Sequence, residues 1–239
     1  MVRLSILKEV LLNHVLILYI WREKLSSIVY DYIEEYIRSM LPQNDTLLKE
    51  IETFAEENHV PIVQPDVGKL LTFLIKLKGA KDILEVGTAI GYSAILMCKA
   101  ADNCRIVTIE RDKIMYKRAC DYINKAGLTK DINIINDEAD VALSNMSDKF
   151  DLIFLDAAKG QYLDFYPHCD RMLKNGGIIF ADNVLFRGMV ASNELLIRRK
   201  ITIVKRMRKY LEFMSGNTKY DTSIIPIGDG VSVSLKIGV

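Results

Sequence analysis

Five short apolar runs, separated by helix-patterned segments with one apolar face, restrict this chain more than any other feature. The runs cover residues 82–86, 105–110, 132–136, 150–156 and 177–182, and helices are predicted at 91–101, 112–126, 139–146, 160–173 and 193–214. Apolar runs with one-sided helices between them predict parallel strands covered on both faces. The end is different: Thr222–Ile227 and Val231–Ile237 flank Gly228-Asp229-Gly230 and predict an antiparallel hairpin. The expected fold is therefore α/β, a mixed seven-stranded sheet with helices on both faces.

Three helices are predicted ahead of the sheet. Ile28, Val29, Tyr32, Ile33, Tyr36, Ile37, Met40 and Leu41 recur at helical spacing. A second helix starts near Asp45, and Asp66 is expected to cap a third that ends at Gly79. His59-Val60-Pro61 between them reads as extended, because a residue before proline avoids the helical region. Residues 1–25 read as a helical extension ahead of one domain over 26–239. The apolar stretch Val10–Trp21 is too short for a bilayer, where about 20 residues are needed, so no membrane partner is expected.

Composition leaves the partner open. Lys plus Arg is 32 and Asp plus Glu is 31, a net charge of +1, so local clustering must decide about nucleic acid. Cys98, Cys104, Cys120 and Cys169 form no C-x-x-C pair or zinc-spaced cluster. They read as four thiols in or near the core of a protein from a reducing cytoplasm.

Two of the strand runs stop at acids. Phe150–Leu155 meets Asp156, and Gly177–Ala181 meets Asp182-Asn183. If these strands are parallel neighbours, Asp156, Asp182 and Asn183 meet at the sheet edge where open α/β sheets bind ligands. Three oxygen donors favour magnesium, manganese or calcium over zinc.

Upstream, Ile83–Val86 runs into Gly87-Thr88-Ala89-Ile90-Gly91, a glycine turn before a helix. The spacing is G-x-x-x-G. Without a middle glycine, a pyrophosphate fits the turn poorly and a smaller nucleoside cofactor fits better. Glu110 ends the next strand, where an acid can accept both ribose hydroxyls. Glu138 follows the third strand and can accept from an adenine amino group. Glu85 can hold an α-amino group, and Ser93 can donate to a carboxylate. Together these match the parts of S-adenosylmethionine; a dinucleotide dehydrogenase or a decayed binding domain are the other readings.

The stretches Glu85–Ser93, Asp156-Ala157-Ala158-Lys159 and Asp182-Asn183-Val184-Leu185 resemble the metal-dependent O-methyltransferases of the catechol and caffeoyl-coenzyme-A type. The resemblance covers about residues 26–239 and implies the Rossmann-like class I methyltransferase fold. It implies magnesium (or manganese) ligands at Asp156, Asp182 and Asn183. It implies S-adenosylmethionine contacts at Val63, Glu85, Gly87, Ser93, Glu110, Glu138, Ala139 and Asp156. One departure is Asp137-Glu138-Ala139, where the family usually has Gly-Asp-Ala. Within the group, His59-Val60-Pro61-Ile62, Ala157–Tyr162 and Asn183–Gly188 look most like a bacterial branch that methylates 5-hydroxyuridine at the tRNA wobble position. A homodimer through the first helices is implied as well.

Lys159, three residues after Asp156, is the expected catalytic partner of the metal site. It would assist deprotonation of the acceptor hydroxyl or stabilise the oxyanion. His168 lies within a predicted helix and reads as structural. Arg198–Lys209 carries seven basic residues and no acid. Ile201, Val204 and Arg208 suit a helix with a buried stripe and a basic exposed face, to which tRNA phosphates could bind beside Arg187. The anticodon loop of tRNA is thus the expected partner. A small catechol-like or caffeoyl-CoA-like acceptor is the alternative, and a non-catalytic RNA-binding module a third reading.

Overall fold

A computed structural model of the chain describes residues 28–238. The expected extension over residues 1–25 lies outside the described residues. Three helices come first: α1 (Asp31–Ser39), α2 (Thr46–Glu57) and α3 (Pro65–Lys78). The alternating part follows as β1 (Asp82–Val86), α4 (Tyr92–Ala100), β2 (Arg105–Ile109), α5 (Lys113–Lys125) and β3 (Ile132–Ile135). It continues with α6 (Ala139–Asn145), β4 (Phe150–Leu155), α7 (Tyr162–Met172) and β5 (Leu173–Ala181). A 3₁₀ turn (Arg198–Lys200), α8 (Ile201–Gly216), β6 (Tyr220–Ile225) and β7 (Val231–Lys236) close the fold.

The sheet order is β3-β2-β1-β4-β5-β7-β6. The first five strands are parallel, and β7 is antiparallel to both β5 and β6. Neighbouring side chains on a strand point to opposite faces, and the core divides accordingly. Ile83, Ile106, Leu152, Phe154 and Ile178 pack with the helices α2–α5. Their neighbours Leu84, Val107, Ile153, Leu155 and Ile179 pack with α6, α7 and α8. Two-sided burial is why the strands read as continuous apolar runs.

Several expectations are corrected. β5 begins at Leu173, before the predicted 177, because Lys174-Asn175-Gly176-Gly177 still runs along β4, with a register shift at Phe150/Leu152. The helix expected over 193–214 starts at Ile201, after the 3₁₀ turn. Asp66 does not cap α3: Pro65 takes the first helical turn, so Gln64 is the cap and Asp66 lies inside. There its carboxylate is 3.4 Å from the Arg38 guanidinium. None of the α1 residues is buried. Cys98 and Cys104 are joined as a disulfide, their Cα atoms 5.5 Å apart. The end of α4 and the start of β2 face each other across a tight connection, a closeness that sequence spacing does not reveal. Cys120 and Cys169 are free thiols, and Cys169 is buried as expected.

Among the described residues, no helix is long and apolar enough to cross a membrane.

Candidate active site

Strand order reverses between β1 and β4, and the carboxyl ends of these strands open onto a cavity of about 1000 Å³. Such a switch point is where open α/β sheets take ligands. Gly87 lies at its centre with φ +107°. A Cβ there would run into the backbone of Asp156, whose carbonyl carbon would be 2.8 Å away. Glycine is therefore required twice, by conformation and by space.

The turn is held by Glu110. Its Oε2 accepts the Ala89 N–H at 2.8 Å, and its Oε1 accepts the Asp112 N–H at 2.8 Å. Ala89 adopts φ +45°, a region that non-glycine residues seldom occupy. Glu110 thus shapes the turn it was expected to serve, and a carboxylate keeps lone pairs for further donors. Val63, Gly87, Ser93, Glu110, Glu138, Ala139 and Asp156 all line the cavity. Glu138 is exposed, 3.7 Å from Arg111.

Glu85 does not line it. The side chain is fully buried and Oε2 accepts from the Thr108 hydroxyl at 2.6 Å, while Oε1 has no hydrogen-bond partner. Burial pushes the carboxyl up to about 7, against the Ser93 and Thr108 hydroxyls, which lower it. A carboxyl whose folded pKa exceeds its unfolded one contributes stability that is lost as pH rises. Stability is therefore expected to fall between pH 4.5 and 7 by about 3 kcal/mol on account of Glu85. Urea midpoints measured across that range should show a slope in the native chain that Glu85→Gln reduces only by the Glu85 share, because Asp156 and Asp182, whose carboxyls burial also pushes up, carry the rest. A slope that Glu85→Gln leaves intact would assign the effect elsewhere.

The acids predicted to meet do meet. β4 and β5 pair in parallel with Leu155 opposite Ala181, so Asp156 and Asp182 occupy matching positions one residue past the strand ends. Tyr162 stitches these ends: its buried hydroxyl lies 3.1 Å from the carbonyl oxygens of both Leu155 and Asp182 and shares one proton between them. Asp182 is 3 % exposed, and Oδ1 accepts the Asn183 N–H at 2.6 Å. Asn183 has φ +58°, which turns the chain sharply after the strand. Asparagine tolerates that region better than most residues.

Burial drives the Asp182 carboxyl up to about 8, with repulsion from Asp156 adding to it and the Asn183 N–H and Lys159 opposing it. Asp156 keeps part of its surface open to the cavity, but the protein around it pushes its carboxyl up to about 7, against the attraction of Lys159. Lys159 is half-buried on the same wall, and no carboxylate lies within 4 Å of its ammonium among the described residues. A buried carboxylate raised by its half-buried neighbour, with Asn183 lining the same cavity, suits a divalent cation. Among the described residues no three His, Cys, Asp or Glu side chains gather on one point, so the third donor would be Asn183.

The outer half of the cavity is built by the segment after β5, together with the 3₁₀ turn. Phe186, Arg187, Met189, Ile197, Arg199 and Lys200 line it. The turn between β6 and β7 anchors the segment. Val184 N–H donates to the Gly230 carbonyl at 2.8 Å, Leu185 N–H to that of Asp229 at 3.1 Å, and Arg187 N–H to the Asp229 side chain. The sequence marks Phe186 only as part of the Asn183–Gly188 stretch and Asp229 only as part of a hairpin turn, neither with a role in the site. The only available signal for Asp229 was the hairpin turn, which gave no hint that it reaches across to another loop.

A glycine turn at the switch point, with acids after successive strands, defines a nucleoside-dependent transferase of the class I methyltransferase architecture. Comparison with known proteins narrows the class: the O-methyltransferase family profile matches residues 38–237, and the chain belongs to that family. It is 32% identical over 204 residues to the catechol O-methyltransferase of Niastella koreensis, covering 82% of this chain and 90% of that protein. It is 32% identical over 217 residues to the caffeoyl-CoA O-methyltransferase of Populus kitakamiensis, covering 84% and 91%. The crystal structure of the O-methyltransferase from Bacillus cereus in complex with SAH superposes with a TM-score of 0.76 at 25% identity, covering 86% of this chain and 97% of that one. The chain is an S-adenosylmethionine-dependent O-methyltransferase.

Proposed function

We propose that this enzyme methylates the 5-hydroxyl of 5-hydroxyuridine at the wobble position of tRNA, giving 5-methoxyuridine, with a bound magnesium or manganese ion. The observation that supports this reading most is the charge arrangement of the cavity. An acidic floor, Asp156 and Asp182, lies under a cationic outer wall of Arg187, Arg199 and Lys200. Exposed Arg198, Lys205 and Lys209 extend that wall over the surface. Such a site suits an acceptor with a chelating oxygen pair on a polyanionic chain. The 5-hydroxyl and 4-carbonyl of the base are such a pair, and phosphates contribute the affinity. A wobble base, single-stranded, can be splayed into a pocket.

Asp156, Asp182 and Asn183 would hold the cation, which supplies positive charge that favours the ionised hydroxyl. The turn at Gly87 and the wall at Val63 and Ser93 would hold the cofactor so that its methyl group faces the acids, an alignment in-line displacement needs. The hydroxyl proton would leave to solvent first, with the Lys159 ammonium balancing the negative oxygen; as the oxygen–carbon bond then forms, the carbon–sulfur bond breaks and its electron pair stays on the sulfur. Lys159→Ala is expected to lower kcat about a hundredfold while S-adenosylhomocysteine affinity, measured by calorimetry, stays within about twofold. An equal loss of both would remove its catalytic role. The reading includes a homodimer in contact through the first helices, where Tyr32, Tyr36 and Met40 are exposed.

A second reading, a small catechol or caffeoyl-CoA acceptor, is favoured by the names of the two relatives. Methyl incorporation with and without chelator separates the readings. Label in undermodified bulk tRNA that disappears with chelator supports the first. Label only in catechols or caffeoyl-CoA supports the second and sinks the first.

A further inference from the structure

Arg208, one cation of the basic segment, is half-buried and turned onto a neighbouring loop. Arg208, on α8, spreads its guanidinium over the loop that follows β5. Nε donates to the Val190 carbonyl at 2.8 Å, Nη2 to the Met189 carbonyl at 3.0 Å and Nη1 to Asn193 Oδ1 at 2.8 Å. Among the described residues no carboxylate lies within 4 Å of this guanidinium, and neither carbonyl accepts a backbone N–H. Within itself the loop makes local turn hydrogen bonds, from the N–H groups of Met189, Val190, Ala191 and Ser192 to the carbonyls of Phe186, Leu185 and Gly188. Phe186, Arg187 and Gly188 all adopt positive φ, +46°, +54° and +73°. Two consecutive non-glycine residues in that region cost of order 1 kcal/mol or more each and persist only where the surroundings impose them. The β6–β7 turn holds the beginning of the loop, and Arg208 holds its end.

We infer that Arg208 is a positioning residue for the acceptor wall. Its planar fork sets the Met189–Asn193 end of the loop, and with it the strained Phe186–Met189 stretch that forms the outer cavity. The exposed cations of the same helix and the pocket wall then move as one body, so that a polyanion seated on α8 finds the wall already in place. The inference rests on the reading of the outer cavity as the acceptor side. It also removes Arg208 from the phosphate-binding set, because its donors are committed to the loop.

Arg208→Lys and Arg208→Met separate the two roles. Lysine keeps the charge but cannot make the three-pronged contact. If Arg208 positions the wall, both variants should raise the acceptor KM about tenfold, the loss of roughly one charge-assisted hydrogen bond, with the S-adenosylmethionine KM within about twofold of native. Rescue by lysine would assign Arg208 to phosphate binding, and a joint rise of both KM values would make it merely structural; either overturns the proposal, as does no change. Amide exchange decides the same point without turnover. In Arg208→Lys, residues 186–193 should exchange about tenfold faster while 87–93 keep the native rate. Unchanged exchange at 186–193 overturns the proposal. Should the native enzyme methylate neither tRNA nor catechols, the reading of the acceptor falls and the exchange result still stands.

Discussion

Asp182→Ala is expected to lower kcat about a thousandfold, the scale lost when a preorganised charge at the reacting centre is removed. S-adenosylhomocysteine affinity should stay within about threefold, because Asp182 sits past β5 while the glycine turn sits past β1. The fold should survive, since Tyr162 binds the backbone carbonyl of residue 182 and not its side chain. Removing the side chain also takes a repelling carboxylate away from Asp156. The thermal midpoint without added metal should therefore hold or rise, and the stabilising effect of added manganese should disappear. Dead enzyme with a higher midpoint is the pattern of a strained functional group. A variant with near-native turnover would refute the acid pair as the reacting centre, and one that retained the manganese effect would place the cation elsewhere.

Gly87→Ala should produce the other large effect, on the cofactor. The substitution demands φ +107° of an L-residue and sets a methyl group against the Asp156 backbone. The strand end or the turn must shift, at a cost of about 2–4 kcal/mol. Cofactor affinity should fall about a hundredfold or more, equivalent to roughly 3 kcal/mol. Gly127→Ala is the matched control. It has φ +71° with nothing near its would-be Cβ, so it should cost only about 1 kcal/mol and leave binding untouched. Equal losses in the two variants, read by urea denaturation and calorimetry, would reduce the role of Gly87 to conformation alone.

Much of this site is legible in the residues because one rule generates it: parallel strands place their last residues at one edge. Runs that stop at Asp156, Asp182 and Glu110 need only that rule and the order of neighbours. What stays hidden depends on contacts between distant segments. Glu85 looks like a wall residue from its place at the strand end, but its side chain points into the sheet face and pairs with Thr108. The spacing of Ile201, Val204 and Arg208 sets Arg208 on the buried stripe of its helix, but nothing local tells which carbonyls its guanidinium meets. The pairing of Cys98 with Cys104 depends on how tightly a helix end folds back on a strand start. The early start of β5 is hidden because Asn175-Gly176-Gly177 has the composition of a turn.

The β6–β7 hairpin has a temporal consequence. Synthesis delivers the glycine turn and both acids long before Asp229 and Gly230, which fasten the segment after β5. On the ribosome, then, the nucleoside half of the centre can assemble while the opposite wall still lacks its anchor. Until the β6–β7 hairpin emerges, a nascent copy lacks the anchor of the wall proposed to choose what it modifies.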